Sequence, residues 1–155
     1  MKITIDDLGK TYKLCTATGR VKEKFIDIEL IKSLKIVAEK GLDFINSKSK
    51  DISKDSTDWT FVFRDYYESL RGLIEAYLLF DGIEVYNHQC KNAYICFKHV
   101  GLAFDWEFLE TIRLKRNAIN YRGQLLKYED WKLFKLKFEL HINTLKKELD
   151  KKLQE

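Results

Sequence analysis

Proline is absent from this 155-residue chain, and glycine occurs only seven times. Domains built from β-strands need many tight turns, and tight turns are rich in these two residues. Their scarcity weighs against an all-β domain and favours long helices with few connections. The sequence therefore predicts an all-α fold, an antiparallel bundle of four to five helices.

Long apolar runs are also missing. The longest is Ala76–Phe80, whereas a helix that crosses a membrane needs about 20 predominantly apolar residues. The N-terminus turns acidic at Asp6 and Asp7, where the apolar part of a secretory signal would have to begin. These absences predict a cytoplasmic protein with no membrane partner.

Cysteine is scarce and odd in number, occurring as Cys15, Cys90 and Cys96. Three cysteines cannot all pair with one another, so with no targeting signal we expect free thiols in a reducing compartment. His88 and His99 lie close to the second and third cysteines, but the paired Cys-x-x-Cys spacing of zinc sites is absent. The sequence therefore predicts no metal site and no cofactor.

Apolar residues recur at steps of three and four along most of the chain, which is the spacing of amphipathic helices. The strongest such signal runs from Trp59 to Phe80 and predicts the central helix of the bundle. Residues 1–27 are predicted to form an N-terminal extension with a short helix packed on the bundle, and residues 28–155 to form the bundle. The polar segment 46–57 predicts a mobile loop, and residues 146–152 predict a helix end that frays.

Basic residues are concentrated late in the chain. The net charge is only +4, but residues 113 to 137 contain eight basic and two acidic side chains. A phosphate-bearing partner would suit this distribution, and a solvated helix surface would explain it as well.

Within that segment, polar side chains share one helix face. Arg113, Asn117 and Asn120 stand at i, i+4 and i+7, and Arg116 lies one turn before Asn120. Guanidinium groups bind phosphate bidentately, amides bond base edges or sugar hydroxyls, and an aromatic ring stacks on a base. The alternative is that these groups bond a neighbouring helix or water. The predicted RNA- or nucleotide-binding residues are Arg113, Arg116, Asn117, Asn120, Tyr121 and Arg122.

From about residue 28 to residue 149 the chain resembles the HEPN domain (higher eukaryotes and prokaryotes nucleotide-binding). The resemblance rests on a long aromatic-rich helix ending at Leu79–Glu84, a link with His88 into the next helix, a helix ending at Arg116–Tyr121, and a long terminal helix. An Arg-Asn pair near the end of the penultimate helix is typical of this family.

The resemblance implies an up-and-down helical bundle to which the segment before Ile28 is an extra N-terminal addition. Such bundles often dimerise, so a homodimer is expected. The chain is similar to the substrate-binding partner of minimal nucleotidyltransferases. It is also similar to metal-independent ribonucleases of toxin–antitoxin and defence systems. In those ribonucleases an arginine and a polar residue are followed, three to five positions later, by a histidine, and the motif faces its copy across the dimer.

The chain departs from the ribonuclease motif at the histidine. Arg116 and Asn117 match the motif, but positions 121 to 123 hold no histidine, and the next one is His141. A general base works best with a pKa near neutrality, as imidazole has, whereas the pKa of tyrosine is about 10. His88, in the neighbouring link, is a weaker candidate to enter the site.

Binding of RNA or a nucleotide without cleavage is therefore the leading interpretation, beside a nucleotidyltransferase-type partner. One alternative is a ribonuclease in which Arg116, Asn117 and Tyr121 are catalytic and the base is atypical. A second alternative is a structural module whose polar face binds another protein.

Overall fold

Six α-helices and one short two-stranded ribbon make up residues 5–155, the part of the chain that the computed structural model describes. The all-α prediction is confirmed. None of these helices combines the length and the apolarity that crossing a lipid bilayer requires. The helices are α1 (Leu8–Ala17), α2 (Ile28–Ser49), α3 (Trp59–Leu79), α4 (His88–Lys98), α5 (Trp106–Arg122) and α6 (Tyr128–Leu153). The strands are β1 (Val21–Glu23) and β2 (Ile83–Val85), and a 3-10 turn, Val100–Leu102, follows α4.

Short polar side chains begin four of the helices described. Asp7, Asp27, Asn87 and Asp105 precede α1, α2, α4 and α5, and each side chain accepts a hydrogen bond from the backbone N–H three residues later. This satisfies a donor that has no partner inside the helix. Gly123 ends α5 with φ at +65°, a conformation that glycine adopts without a steric cost. These local signals explain why most helix boundaries were predictable.

Helix α3 is the centre of the bundle, as its apolar pattern predicted. It packs against α2, α4, α5, α6 and β2. Phe63 lies edge-on to Phe138 and Trp131 of α6, so aromatic contacts join the two longest apolar stripes. The buried stripe of α3 consists of Trp59, Val62, Phe63, Tyr66, Leu70, Leu73, Ile74, Tyr77 and Leu78.

One helix extends further than the sequence predicts, and another keeps its predicted length. Helix α2 continues to Ser49, so the polar connection to α3 is shorter than expected, and Trp59 Nε1 donates a hydrogen bond to the Ser53 carbonyl across it at 2.9 Å. Helix α6 ends at Leu153, as the sequence predicts, and residues 146–152, which were expected to fray, are helical. Its late turns stay helical because Leu149 is fully buried in the core.

A disulfide joins Cys15 of α1 to Cys90 of α4. The expectation of free thiols is therefore wrong for this pair. Cys96 keeps a free, buried thiol, and burial raises its pKa to about 12. The bonded cysteines are 75 residues apart in sequence, so local spacing could not predict their contact.

The ribbon of β1 and β2 attaches the N-terminal segment at a second place. This ribbon was not predicted from the sequence. Strand β1 pairs antiparallel with β2, with Val21 opposite Val85. The ribbon attaches the N-terminal segment just before α4 begins, and the disulfide attaches it within the first turn of α4.

Candidate functional site

An open cleft of about 350 Å³ lies where the second half of α5 meets the first turn of α4. Four of the six residues that the sequence predicted for binding line it together. Asn120 and Arg122, the other two, are exposed on α5 and lie outside the lining. His88 joins the cleft, whereas His141 is buried against Phe104 and Phe108. The cleft is lined by Asn87, His88, Gln89, Arg113, Arg116, Asn117 and Tyr121.

Arg113 is held by a buried carboxylate. Glu110 is only 2% exposed, and it accepts hydrogen bonds from Nε and Nη2 of Arg113, both at 2.9 Å. Gln89 and Asn92 of α4 each donate a further hydrogen bond to it at 3.0 Å. A buried charge is tolerated when it is paired and fully hydrogen-bonded, so this network fixes Arg113 and Gln89 at the cleft.

Arg116 shares a second carboxylate with Arg71. Glu68 Oε1 lies 3.3 Å from Arg116 Nη2, while Glu68 Oε2 accepts from Nε and Nη2 of Arg71 at 3.1 and 2.8 Å. The Arg116 guanidinium also lies over the Tyr67 ring, 5.7 Å from its centroid. Its Nε is buried, and no acceptor among residues 5–155 bonds it. Buried donors almost always have a partner, so this atom marks a place where an acceptor is favoured.

His88 is locked in one tautomer. Arg71 Nη1 lies 3.2 Å from His88 Nε2, and the Tyr67 hydroxyl lies 2.9 Å from His88 Nδ1. Because a guanidinium only donates, Nε2 must accept, so Nδ1 carries the proton and donates it to the Tyr67 oxygen. Burial, and then the neighbouring Arg71 and Arg116 guanidiniums, lower the pKa of His88 to about 4. The imidazole is therefore neutral at pH 7, and its lone pair is engaged.

The rim of the cleft at Asn87 is strained. Its backbone has φ +61° and ψ +156°, a region that residues other than glycine rarely adopt. The side chain caps α4 by accepting from the Cys90 N–H at 2.8 Å. Such strain costs about 1–3 kcal/mol and is concentrated at binding and catalytic sites.

The electrostatic balance of the cleft favours an anion. Three guanidiniums, those of Arg71, Arg113 and Arg116, face two carboxylates, those of Glu68 and Glu110, and His88 is neutral. Among these groups one net positive charge is left, and the Asp6 carboxylate, which accepts a hydrogen bond from Gln89 at 3.3 Å, lies at the α4 side of the cleft. The first turn of α4 adds the positive end of the helix dipole at the same place, with backbone N–H groups that have no partner inside the helix.

Sequence reasoning missed Glu68, Arg71 and Glu110. An acid in the first turns of a helix is ordinary, so Glu110 carries no special signal there. Glu68 meets Arg116 only because α3 packs against α5, and Arg71 joins the site through Glu68 and His88.

The chain matches no protein-family model, no curated protein and no solved structure. The HEPN resemblance therefore stays a prediction.

Proposed function

We propose that this protein binds a nucleotide or RNA through phosphate in the cleft between α4 and α5, without cleaving it. The observation that carries the proposal is the convergence of Arg113 and Arg116 with the N-terminus of α4 in one open cleft. Guanidinium groups and helix N-termini both favour phosphate, and they act on the same anion here.

The remaining lining residues suit the other parts of a nucleotide. Tyr121 is 77% exposed at the edge of the cleft and presents a ring on which a base can stack. The side-chain amides of Asn87, Gln89 and Asn117 offer donors and acceptors for a base edge or a sugar hydroxyl. The volume, about 350 Å³, is near the lower end of the roughly 300–1,000 Å³ of small-molecule sites, which favours a single nucleotide unit.

The state of His88 supports binding rather than cleavage. With its pKa lowered to about 4 and its lone pair held by Arg71, His88 is a poor general base for attack by a 2′-hydroxyl. Burial also raises the pKa of Tyr67 to about 12. The ribonuclease alternative, with Arg116, Asn117 and Tyr121 as catalytic residues, therefore depends on a general base other than His88 or Tyr67.

A homodimer and a nucleotidyltransferase-type partner remain parts of the proposal that derive from the family resemblance. The cytoplasmic location predicted from composition has an observation against it. The Cys15–Cys90 disulfide weighs against a reducing compartment.

The test is the affinity of purified protein for adenosine monophosphate and for a single-stranded RNA octamer at two salt concentrations. Arg116→Gln is the primary variant, because replacing Arg113 would leave the buried Glu110 charge without its partner. One charge-assisted hydrogen bond contributes about 1.5–3 kcal/mol, so we expect affinity to fall by about 10- to 100-fold.

Arg20→Gln is the matched control and should bind normally, because the Arg20 side chain is exposed and does not line the cleft. RNA affinity should also fall as salt rises. Equal binding by Arg116→Gln and the wild type would refute the proposal. RNA cleavage without metal that Arg116→Gln abolishes would favour the ribonuclease instead.

A further inference from the structure

A second aromatic and basic pair lies on the outer side of α3. Phe61 is 44% exposed, and the Arg64 guanidinium carbon lies 5.0 Å from the centroid of its ring. Arg71, Arg113 and Arg116 each pair with a glutamate, whereas Arg64 forms no ion pair with any residue from 5 to 155. A guanidinium stacked on an aromatic ring leaves its N–H edge available to an acceptor.

The packing of α3 against α5 aligns this pair with the cleft. Arg116 meets Glu68 near the middle of α3, while Leu126, just beyond α5, donates its backbone N–H to the Thr60 hydroxyl in the first turn of α3 at 2.7 Å. The end of α5 therefore lies beside the start of α3. Arg64 is one turn before Glu68 on α3. It therefore lies between the Arg116–Glu68 contact and the start of α3.

Asn120 lies along the same path. It is exposed and lies one turn after Arg116, nearer the end of α5. On α3, Arg64 and then Phe61 lie beyond Glu68 toward the same end of the bundle. From Glu68 to Phe61 the helix rises roughly 10 Å, a short step for an extended polynucleotide. The polar surface thus continues from the cleft to a ring that is open to solvent.

We propose that Phe61 and Arg64 form a second subsite, which takes an unstacked base and its phosphate from a single-stranded polynucleotide held in the cleft. This inference rests on the proposed function and deepens it. The cleft has room for about one nucleotide unit, so a longer strand must leave it. Toward Phe61 it meets an unpaired guanidinium and an exposed ring, the two groups that bind single strands without reading sequence.

The experiment compares affinity as the ligand lengthens. Adenosine monophosphate and 5′-phosphorylated oligoadenylates of two, four and six nucleotides, in ribose and deoxyribose forms, are titrated into wild type and variants, so that every ligand carries a terminal phosphate. Wild type should gain about fivefold or more in affinity between the monophosphate and the longer oligomers, the lower end of what one base–aromatic stack contributes. Phe61→Ala and Arg64→Gln should reduce that gain and leave monophosphate binding unchanged, while Phe61→Trp should retain it.

Phe25→Ala and Arg20→Gln are the matched controls. Phe25 is 78% exposed and lies beside Gly82, at the opposite end of α3 from Phe61. Both controls should keep the gain with length. A gain in either sugar series that disappears in Phe61→Ala supports the subsite.

Three results would overturn it: no gain with length in the wild type, a full gain in Phe61→Ala, or equally tight binding of an RNA duplex, whose bases are already stacked. If the wild type binds the monophosphate but shows no gain, only this inference fails. If it binds neither ligand, the proposed function fails as well.

Discussion

Replacing both Cys15 and Cys90 with alanine should lower the free energy of unfolding by a large and calculable amount. The bond closes a loop of 75 residues. A cross-link restricts the unfolded chain, and a loop of that length corresponds to about 4 kcal/mol at 25 °C. For a chain of this size, that loss lowers the melting temperature by about 8–16 °C.

Cys96→Ala is the control, because it removes a buried sulfur and leaves the loop closed. Its melting temperature should fall by much less than that of the double variant. Thermal unfolding of the wild type, followed by circular dichroism with and without a dithiol reductant, should reproduce the difference between wild type and double variant.

Thiol counting in denaturant checks the premise directly. Unreduced wild type should show one reactive thiol, Cys96→Ala none, and reduced wild type three. Three thiols in the unreduced, denatured wild type would refute the bond. A double variant as stable as the wild type would refute the loop-entropy argument even if the bond is present.

Two further predictions concern the support of the site. Thr60→Val should cost about 1–3 kcal/mol in urea unfolding, because the buried Leu126 N–H loses its acceptor, while Thr16→Val, at an exposed position, should stay within about 0.5 kcal/mol. The pKa of His88 is lowered to about 4 in the folded protein, whereas in the unfolded chain it is about 6.5. Between these two pH values the unfolded chain binds more protons than the folded one, so stability should fall as pH drops from about 6.5 to 4. NMR titration of the His88 ring measures that pKa, and the decline should be smaller in His88→Asn; a ring pKa near 6.5 would contradict the buried, neutral imidazole.

The elements that were predictable carry their information locally. The apolar residues of α3 repeat at steps of three and four, so one face of that helix had to be buried, and it is. Asp27, Asp105 and Gly123 begin or end helices because their side chains or backbone freedom satisfy the helix ends next to them.

The elements that were missed depend on contacts between distant residues. The ribbon pairs Val21 with Val85, and strands of three residues leave too short an alternation to detect. Glu68 on α3 contacts Arg116 on α5, and residue spacing within one helix cannot predict a contact between two helices.

The candidate site shows both cases. Spacing on one helix correctly placed Arg113 and Asn117 on a common face, and both line the cleft. It also grouped Asn120 with them, but the cleft excludes Asn120 and takes in Tyr121, which was predicted separately as a ring for stacking. The reason is that α4 supplies the opposite wall, and a helical wheel does not reveal on which side a neighbouring helix lies.

Glu68 gives the cleft a built-in competitor. Its carboxylate already lies 3.3 Å from Arg116 Nη2, so an arriving anion shares this guanidinium with a negative charge that is already there. A singly charged group offers Arg116 no more than Glu68 does, whereas a doubly charged one offers more. The protein should therefore discriminate by charge density, favouring a terminal phosphate over an internal phosphodiester at Arg116.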